Sequence, residues 1–221
     1  MLKRSFFSLL ILFPLLALST PTDCGIIQKP IKFDQKRIVL TREYRLQHYG
    51  INTKSIRIQP KMIVLHWTMT STLKTAFSVF YSPTLRGRRH LKKHGQLNVS
   101  AHYLVARNGQ IYQMMPTNLM ARHVIGLNNI AIGIENVGGQ GGKENLTPAQ
   151  VRANVCLIRL LKKKYPSIQY LIGHFEYLRF KNSSLWEEKN PAYKTHKIDP
   201  GKKFMRDVRQ KVKDLGLKSK P

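Results

Sequence analysis

The apolar positions of this chain fall in short blocks, each closed by a polar or turn-forming residue. Met62-Ile63-Val64-Leu65 is a continuous apolar run of the kind that makes a strand covered on both faces, and it ends on His66. Ala101–Arg107 and Gln110–Met115 flank Asn108-Gly109, a strong short-range hairpin signal. A further strand, Ile130–Asn136, carries Glu135 near its end, and Tyr170-Leu171-Ile172 leads into Gly173-His174. Thr147-Pro148-Ala149-Gln150 opens a helix with an N-cap threonine, a proline at the first helical position and a glutamine that completes a capping box. Val151, Val155, Ile158 and Leu161 then recur at helical spacing until Pro166 stops the run. Phe204, Val208, Val212 and Leu215 form the stripe of a last helix, closed by Gly216. Residues 25–60 show no clean period and read as an irregular N-terminal wrap. Strands separated by helices, with one hairpin, predict the α/β class: a central mixed β-sheet flanked by helices, in a single domain with its site at strand ends.

Residues 1–19 stand apart from that pattern. Lys3 and Arg4 precede an uncharged apolar stretch that ends in small residues around Ala17 and Ser19, the layout of a secretory signal peptide. The run is shorter than the ~20 residues that span a bilayer, and Pro14 interrupts it, so no stable membrane span is expected.

The 221 residues carry 38 Lys plus Arg against 11 Asp plus Glu, a formal charge of +27, yet 42% are hydrophobic, enough for a core. A basic cytosolic protein would point to nucleic acid. An exported one meets anionic cell-wall polymers or lipid headgroups instead, so the expected location is periplasmic or secreted and no nucleic-acid partner is expected. Two cysteines, Cys24 and Cys156, exclude a disulfide-stapled scaffold and a four-cysteine zinc site, and leave open whether they pair.

His66 and His174 each follow an apolar strand, and Asp199 lies in the turn-rich Lys197-Ile198-Asp199-Pro200-Gly201. Two imidazoles and a carboxylate make a three-ligand zinc set that leaves a fourth position for water. On spacing alone, packed strand-end histidines and a turn aspartate explain the same residues equally well. His90 and His94, at i and i+4, offer a competing metal pair. Arg86, Arg88, Arg89, Lys92 and Lys93 crowd it, and like charge disfavours a cation, so the segment reads as a basic rim for anionic substrate or as a solvated basic face.

The motifs around these positions are more specific than any one residue. Ile63-Val64-Leu65-His66, Val99-Ser100-Ala101-His102-Tyr103-Leu104-Val105 with Asn108-Gly109, Ala121-Arg122-His123, Ile132-Gly133-Ile134-Glu135, Gly173-His174 and Lys197–Gly201 follow one another in the order seen in zinc-dependent N-acetylmuramoyl-L-alanine amidases. The chain resembles that family, which also includes phage-lysozyme-type amidases and the peptidoglycan recognition proteins. The resemblance covers roughly residues 60–205. It implies a catalytic domain over 61–205, preceded by the irregular segment 20–60 and followed by a basic helix and tail over 206–221.

The resemblance further implies hydrolysis of the amide between N-acetylmuramic acid and L-alanine of peptidoglycan or muropeptides. His66, His174 and Asp199 would bind Zn²⁺, Glu135 would act as general base and then acid, and Lys197 would stand beside the oxyanion. His123 and His102 match motif positions near the site and are expected to touch substrate, although a hydrogen-bonded sheet role fits His102 equally. Ala101 stands where recognition proteins and phage-type enzymes tend to carry tyrosine; with Glu135 acidic, the chain is similar to the bacterial branch that uses glutamate. Two other function classes stay open: a catalytically silent peptidoglycan-binding module, and a basic nucleic-acid or membrane-surface protein. Silent members usually lose a zinc ligand, and here all three are present.

Overall fold

The computed structural model describes residues 24–221, so the leader read as a signal peptide lies outside the described residues. In chain order the elements are β1 (Ile27–Gln28), α1 (Gln35–Tyr49), β2 (Met62–Trp67), α2 (Leu73–Tyr81), α3 (Arg89–Lys92), β3 (Tyr103–Val105), β4 (Ile111–Gln113), β5 (Ala131–Asn136), α4 (Pro148–Lys164), β6 (Tyr170–Gly173) and α5 (Lys202–Lys211). The strands form one sheet in the order β1-β4-β3-β5-β2-β6. Among the strand pairs of the described residues only the β3/β4 hairpin is antiparallel, so the sheet is mixed, as expected.

Side chains of a strand alternate between faces. Ile63 and Leu65 of β2, Ile132 and Ile134 of β5 and Leu171 of β6 enter a core beneath α4 and α5. Met62 and Val64, Ala131 and Ile172 face the opposite core, which Tyr44 and Tyr49 of α1 help to close. By the same period His66, Glu135 and His174 continue the second face at the carboxyl ends of the three adjacent parallel strands β5, β2 and β6.

The predicted cap of α4 is present in full: Thr147 accepts from the Gln150 amide, Gln150 reaches back to the Thr147 amide, and Pro148 opens the helix. Such a cap contributes about 1 kcal/mol. The hairpin turns through Asn108-Gly109, with Gly109 at φ 89° where a side chain would be strained and a Cβ would meet the Ala149 carbonyl. The last helix ends at Lys211, and a 3-10 turn over Lys213–Leu215 carries the chain to Gly216.

The N-terminal segment corrects the expectation of an irregular wrap. β1 adds a parallel strand to β4, and α1 is a 15-residue helix with Asp34 as N-cap and Gly50, in the left-handed region, as C-cap. Its buried face consists of Arg37, Thr41, Tyr44, Arg45, His48 and Tyr49, whose spacing is helical but whose chemistry is polar, so no apolar stripe marks it. Cys24 and Cys156 form a disulfide that ties this segment to α4.

Candidate metal centre

Three parallel strands and one turn bring the site together. His66 on β2 pairs in register with Glu135 on β5. The Asn136 amide donates to the His66 carbonyl at 3.0 Å, and Asn154 of α4 donates to Asn136 at 2.7 Å, which fixes that register from behind. His174 begins the 3-10 segment after β6, and the Phe175 amide donates to the Asp199 carbonyl, drawing the Lys197–Gly201 turn over the strand ends.

His66 Nδ1, His174 Nδ1 and Asp199 Oδ2 lie 2.9, 3.3 and 3.1 Å apart, and all three residues are buried. Tetrahedral zinc with bonds of about 2.0–2.1 Å places its donor atoms roughly 3.3 Å apart. Among the described residues this is the group able to hold a metal ion.

The protons on the rings agree with that role. His123 sends Nε2 to the Ala131 carbonyl at 3.3 Å, so it donates there and its Nδ1 is an acceptor. His66 Nε2, 3.0 Å from that Nδ1, is then the donor, which leaves His66 Nδ1 as a lone pair aimed at His174 and Asp199. Burial, with the neighbouring His174, holds His66 down at about 4, and burial with His66 holds His123 well below the usual histidine range, so both rings are neutral at pH 7. His123 thus holds His66 in one tautomer, the part that outer partners play at metal sites. Gly133 makes room for it: a Cβ there would stand 2.7 Å from the His123 ring.

Glu135 is buried beside the set, and its Oε2 has no hydrogen-bond partner among the described residues. Burial pushes its carboxyl well above the usual range, with Asp199 adding to the rise and Arg88 and Lys197 opposing it. Asp199 is instead held well below its usual range: burial works to raise it, and His174 and His66 together overcome that. Two carboxyls pushed apart in this way are the raw material of acid–base chemistry.

Lys197 lines the same cleft, a cavity of about 340 Å³ walled also by Trp67, Met69, Arg88, His90 and Tyr193. Met69, half-exposed at φ 59°, holds a left-handed conformation that few non-glycine residues adopt. His102 is placed differently from the expectation of substrate contact. It is fully buried and outside the cleft lining, its Nδ1 accepting from the Gly133 amide at 3.0 Å and its Nε2 donating to the Leu119 carbonyl at 2.8 Å. Both nitrogens are spent on backbone, so it supports β5 from beneath. His94 stacks on Tyr193 at 3.8 Å, apart from the metal set.

Arg122 belongs to the Ala121-Arg122-His123 motif, and the sequence assigns it no role. Its guanidinium donates to the carbonyls of Leu91, His94, Gly95 and Leu97 and to the Tyr193 hydroxyl, pinning the basic rim to the cleft wall. The signal that could have found it was its position next to His123.

A mixed α/β sheet that presents a buried His/His/Asp donor set at its strand ends defines a candidate mononuclear metal protein of zinc-compatible type. A family model described as N-acetylmuramoyl-L-alanine amidase matches residues 56–202, and the chain belongs to that family. The endolysin of Klebsiella phage KP32 is 32% identical over 91 residues, 39% of this chain and 60% of the endolysin. That of Enterobacteria phage K11 is 30% identical over 91 residues, with the same shares of 39% and 60%. The chain therefore spans about 60% of the length of these phage relatives. Among solved structures, the N-acetylmuramoyl-L-alanine amidase LysC from Clostridium intestinale URNW superposes with a TM-score of 0.51 at 23% identity, covering 74% of this chain and 90% of LysC. Human PGRP-IBETAC in complex with glycosamyl muramyl pentapeptide gives 0.51 at 18% identity, covering 84% and 94%. At these identities the likeness is one of fold.

Proposed function

We propose that the protein is a zinc-dependent amidase that hydrolyses the bond between N-acetylmuramic acid and L-alanine in peptidoglycan or its muropeptides. The observation that carries the reading is the convergence of three possible metal-ligand atoms beside a buried Glu135 oxygen that has no partner among the described residues. Membership of the amidase family supplies the bond to be cut.

His66, His174 and Asp199 would hold the metal, and bound zinc supplies Lewis acidity that polarises a carbonyl and acidifies water. Glu135 Oε2 takes the proton of the attacking water as its oxygen bonds to the amide carbon. Lys197 places positive charge beside the oxygen that becomes negative. Glu135 then returns the proton to nitrogen as the carbon–nitrogen bond breaks, which leaves the lactyl carboxylate and a free L-alanine amino terminus. His123 holds His66 in the tautomer that presents Nδ1.

We place the activity outside the cytosol, in the periplasm or beyond it. The Cys24–Cys156 disulfide supports an oxidising compartment. No helix of the described residues is long and apolar enough to cross a membrane. The basic rim Arg86–His94 suits an anionic cell-wall polymer.

Purified protein given peptidoglycan should release L-alanine amino termini, stop with a chelator and resume with Zn²⁺. Wild-type protein that binds zinc and releases no such termini would overturn the reading.

A further inference from the structure

The cleft does not end at the metal set. Val79 and Arg88 line both the cleft and a neighbouring cavity of about 190 Å³. That cavity shares Ser78, Ser82, Thr84 and Arg86 with a third, of about 590 Å³, completed by Lys32, Lys36 and Tyr81. Through these shared walls the three adjoin one another as a stepped groove that leads from the site past the carboxyl end of α2. Its outer part is walled by exposed cations, hydroxyls and a half-exposed tyrosine ring, and no carboxylate lines it.

The carboxyl end of a helix carries partial negative charge and would repel an anion. Here that end is neutralised from within. The buried Arg37 guanidinium donates from Nη2 to the carbonyls of Phe80, Tyr81 and Ser82 at 3.0, 3.2 and 2.8 Å, and from Nε to the Lys32 carbonyl at 2.8 Å. Burial lowers Arg37 to about 10, so it stays charged at neutral pH. Asn98 donates to the Val79 and Ser82 carbonyls, both at 2.9 Å. One pair of side chains thus fixes the α1 entry, the end of α2 and the following loop against one another, so the groove is built into the fold. Asp34 sits 3.4 Å from Lys32 and occupies part of its charge, whereas Lys36 and Arg86 have no ion-pair partner among the described residues. Lys32 and Lys36 precede residue 56, where the family match begins, so this end of the groove is a feature of this chain's own N-terminal segment.

We propose that Lys36 and Arg86, with Lys32, Tyr81 and the groove hydroxyls, form a second, anion-binding subsite that takes stem-peptide carboxylates of the polymer lying beyond the unit being cut. The proposal rests on the peptidoglycan reading above. The carboxylates supply the anions, and the sugar and peptide backbone between them match the hydroxyls and the aromatic ring.

The test is co-sedimentation of the full chain, in chelator so that nothing is cut, with sacculi freed of phosphate polymers. Lys36→Glu with Arg86→Glu should raise the half-saturating concentration about tenfold, the size expected for reversing two exposed charges facing anions. Amidating the sacculus carboxylates should weaken wild-type binding by a similar factor and leave the double variant little further to lose. A control pair on other helices, Lys163→Glu with Lys211→Glu, should shift binding by less than about twofold. A double variant that binds like wild type, an equal loss in the control pair, or full additivity of variant and amidation would each overturn the subsite. Binding is read without turnover, so a wild-type protein that sediments as expected but releases no L-alanine termini when supplied with zinc would sink the amidase reading and leave the subsite standing.

Discussion

Two buried histidine clusters lie near the cleft, and they are built on opposite logic. In the first, His66 Nδ1, His174 Nδ1 and Asp199 Oδ2 converge on one point, and Glu135 Oε2 beside them has no partner among the described residues. In the second, His48 meets an acceptor at each ring nitrogen: both Glu188 oxygens lie within 3.0 Å of Nδ1, and the His94 carbonyl is 3.1 Å from Nε2. Tyr44 stacks on His48 at 4.2 Å and closes that cluster. Burial and residue type are alike in the two, so neither separates a reactive site from a strut. What separates them is whether the polar atoms have satisfied one another. A saturated cluster holds α1 to the Glu188 loop, and an unsaturated one asks for a cation and a substrate.

The comparison breaks most visibly at the two glutamates. Glu135→Gln should lower kcat by about 10²–10⁴ while zinc, measured by metal analysis of the purified protein, stays bound. Glu188→Ala should do the reverse, costing about 3–5 kcal/mol in denaturant unfolding by stripping a buried partner, with kcat of the folded protein retained. If Glu188→Ala instead destroyed turnover without loss of stability, the division between strut and site would be wrong.

Metal addition sharpens the contrast from the other side. Zinc at 100 times its dissociation constant should stabilise the fold by about 2.7 kcal/mol, seen as a raised melting temperature that a chelator reverses. His66→Ala should abolish that rise, and Glu188→Ala should retain it. His123→Ala removes the acceptor that orients His66, together with a bond to the Ala131 carbonyl, and should weaken zinc about 10–100-fold in a competition titration; unchanged affinity would deny it the positioning role.

The smallest effect lies one residue from the strut. Glu187 Oε1 accepts from Asn129 at 3.1 Å, while its Oε2 is buried without a partner among the described residues. Burial raises its pKa in the fold, so the folded state favours the protonated form and loses stability as pH rises through the carboxylate range. Glu187→Gln should therefore stabilise the protein at pH 7 by about 0.5 kcal/mol, since solvent screens a partly exposed group. The gain should vanish below about pH 4. A constant gain across that range would assign it to packing instead.

The reach of the sequence follows from what kind of signal each element carried. β2, β5 and β6 announce themselves as apolar runs, and α4 by a cap whose three parts agree, so the sheet and its helical cover were legible. The metal set was visible because its histidines close those runs and its aspartate sits in a turn motif. α1 escaped because its buried face is polar: Arg37, Tyr44, Arg45 and His48 find partners outside the helix and Thr41 bonds back to the Arg37 carbonyl, none of which a hydrophobic period can register. Asp34 and Gly50, seventeen-residue bookends of that helix, were the local signal available. For His102 substrate contact and a sheet role fit the sequence equally, because motif proximity does not say whether a ring faces the cleft or the sheet. The Cys24–Cys156 bond needed the fold, since only the added β1 brings the N-terminal segment within reach of α4.

The register of β2 against β5 has a consequence for how such a protein can diversify. His66 and Glu135 face each other through a backbone ladder, held at the back by Asn136 and Asn154, so the interval between them is set by strand spacing and by no loop. A slip of one residue would turn Glu135 to the opposite face of the sheet. Part of the cleft mouth is under no such constraint. Insertions, deletions or grafted segments within the exposed Arg86–His90 stretch, which lies ahead of the carbonyls that Arg122 holds, can retune what the mouth accepts while the chemistry keeps its ruler, which makes that stretch the place to redesign specificity.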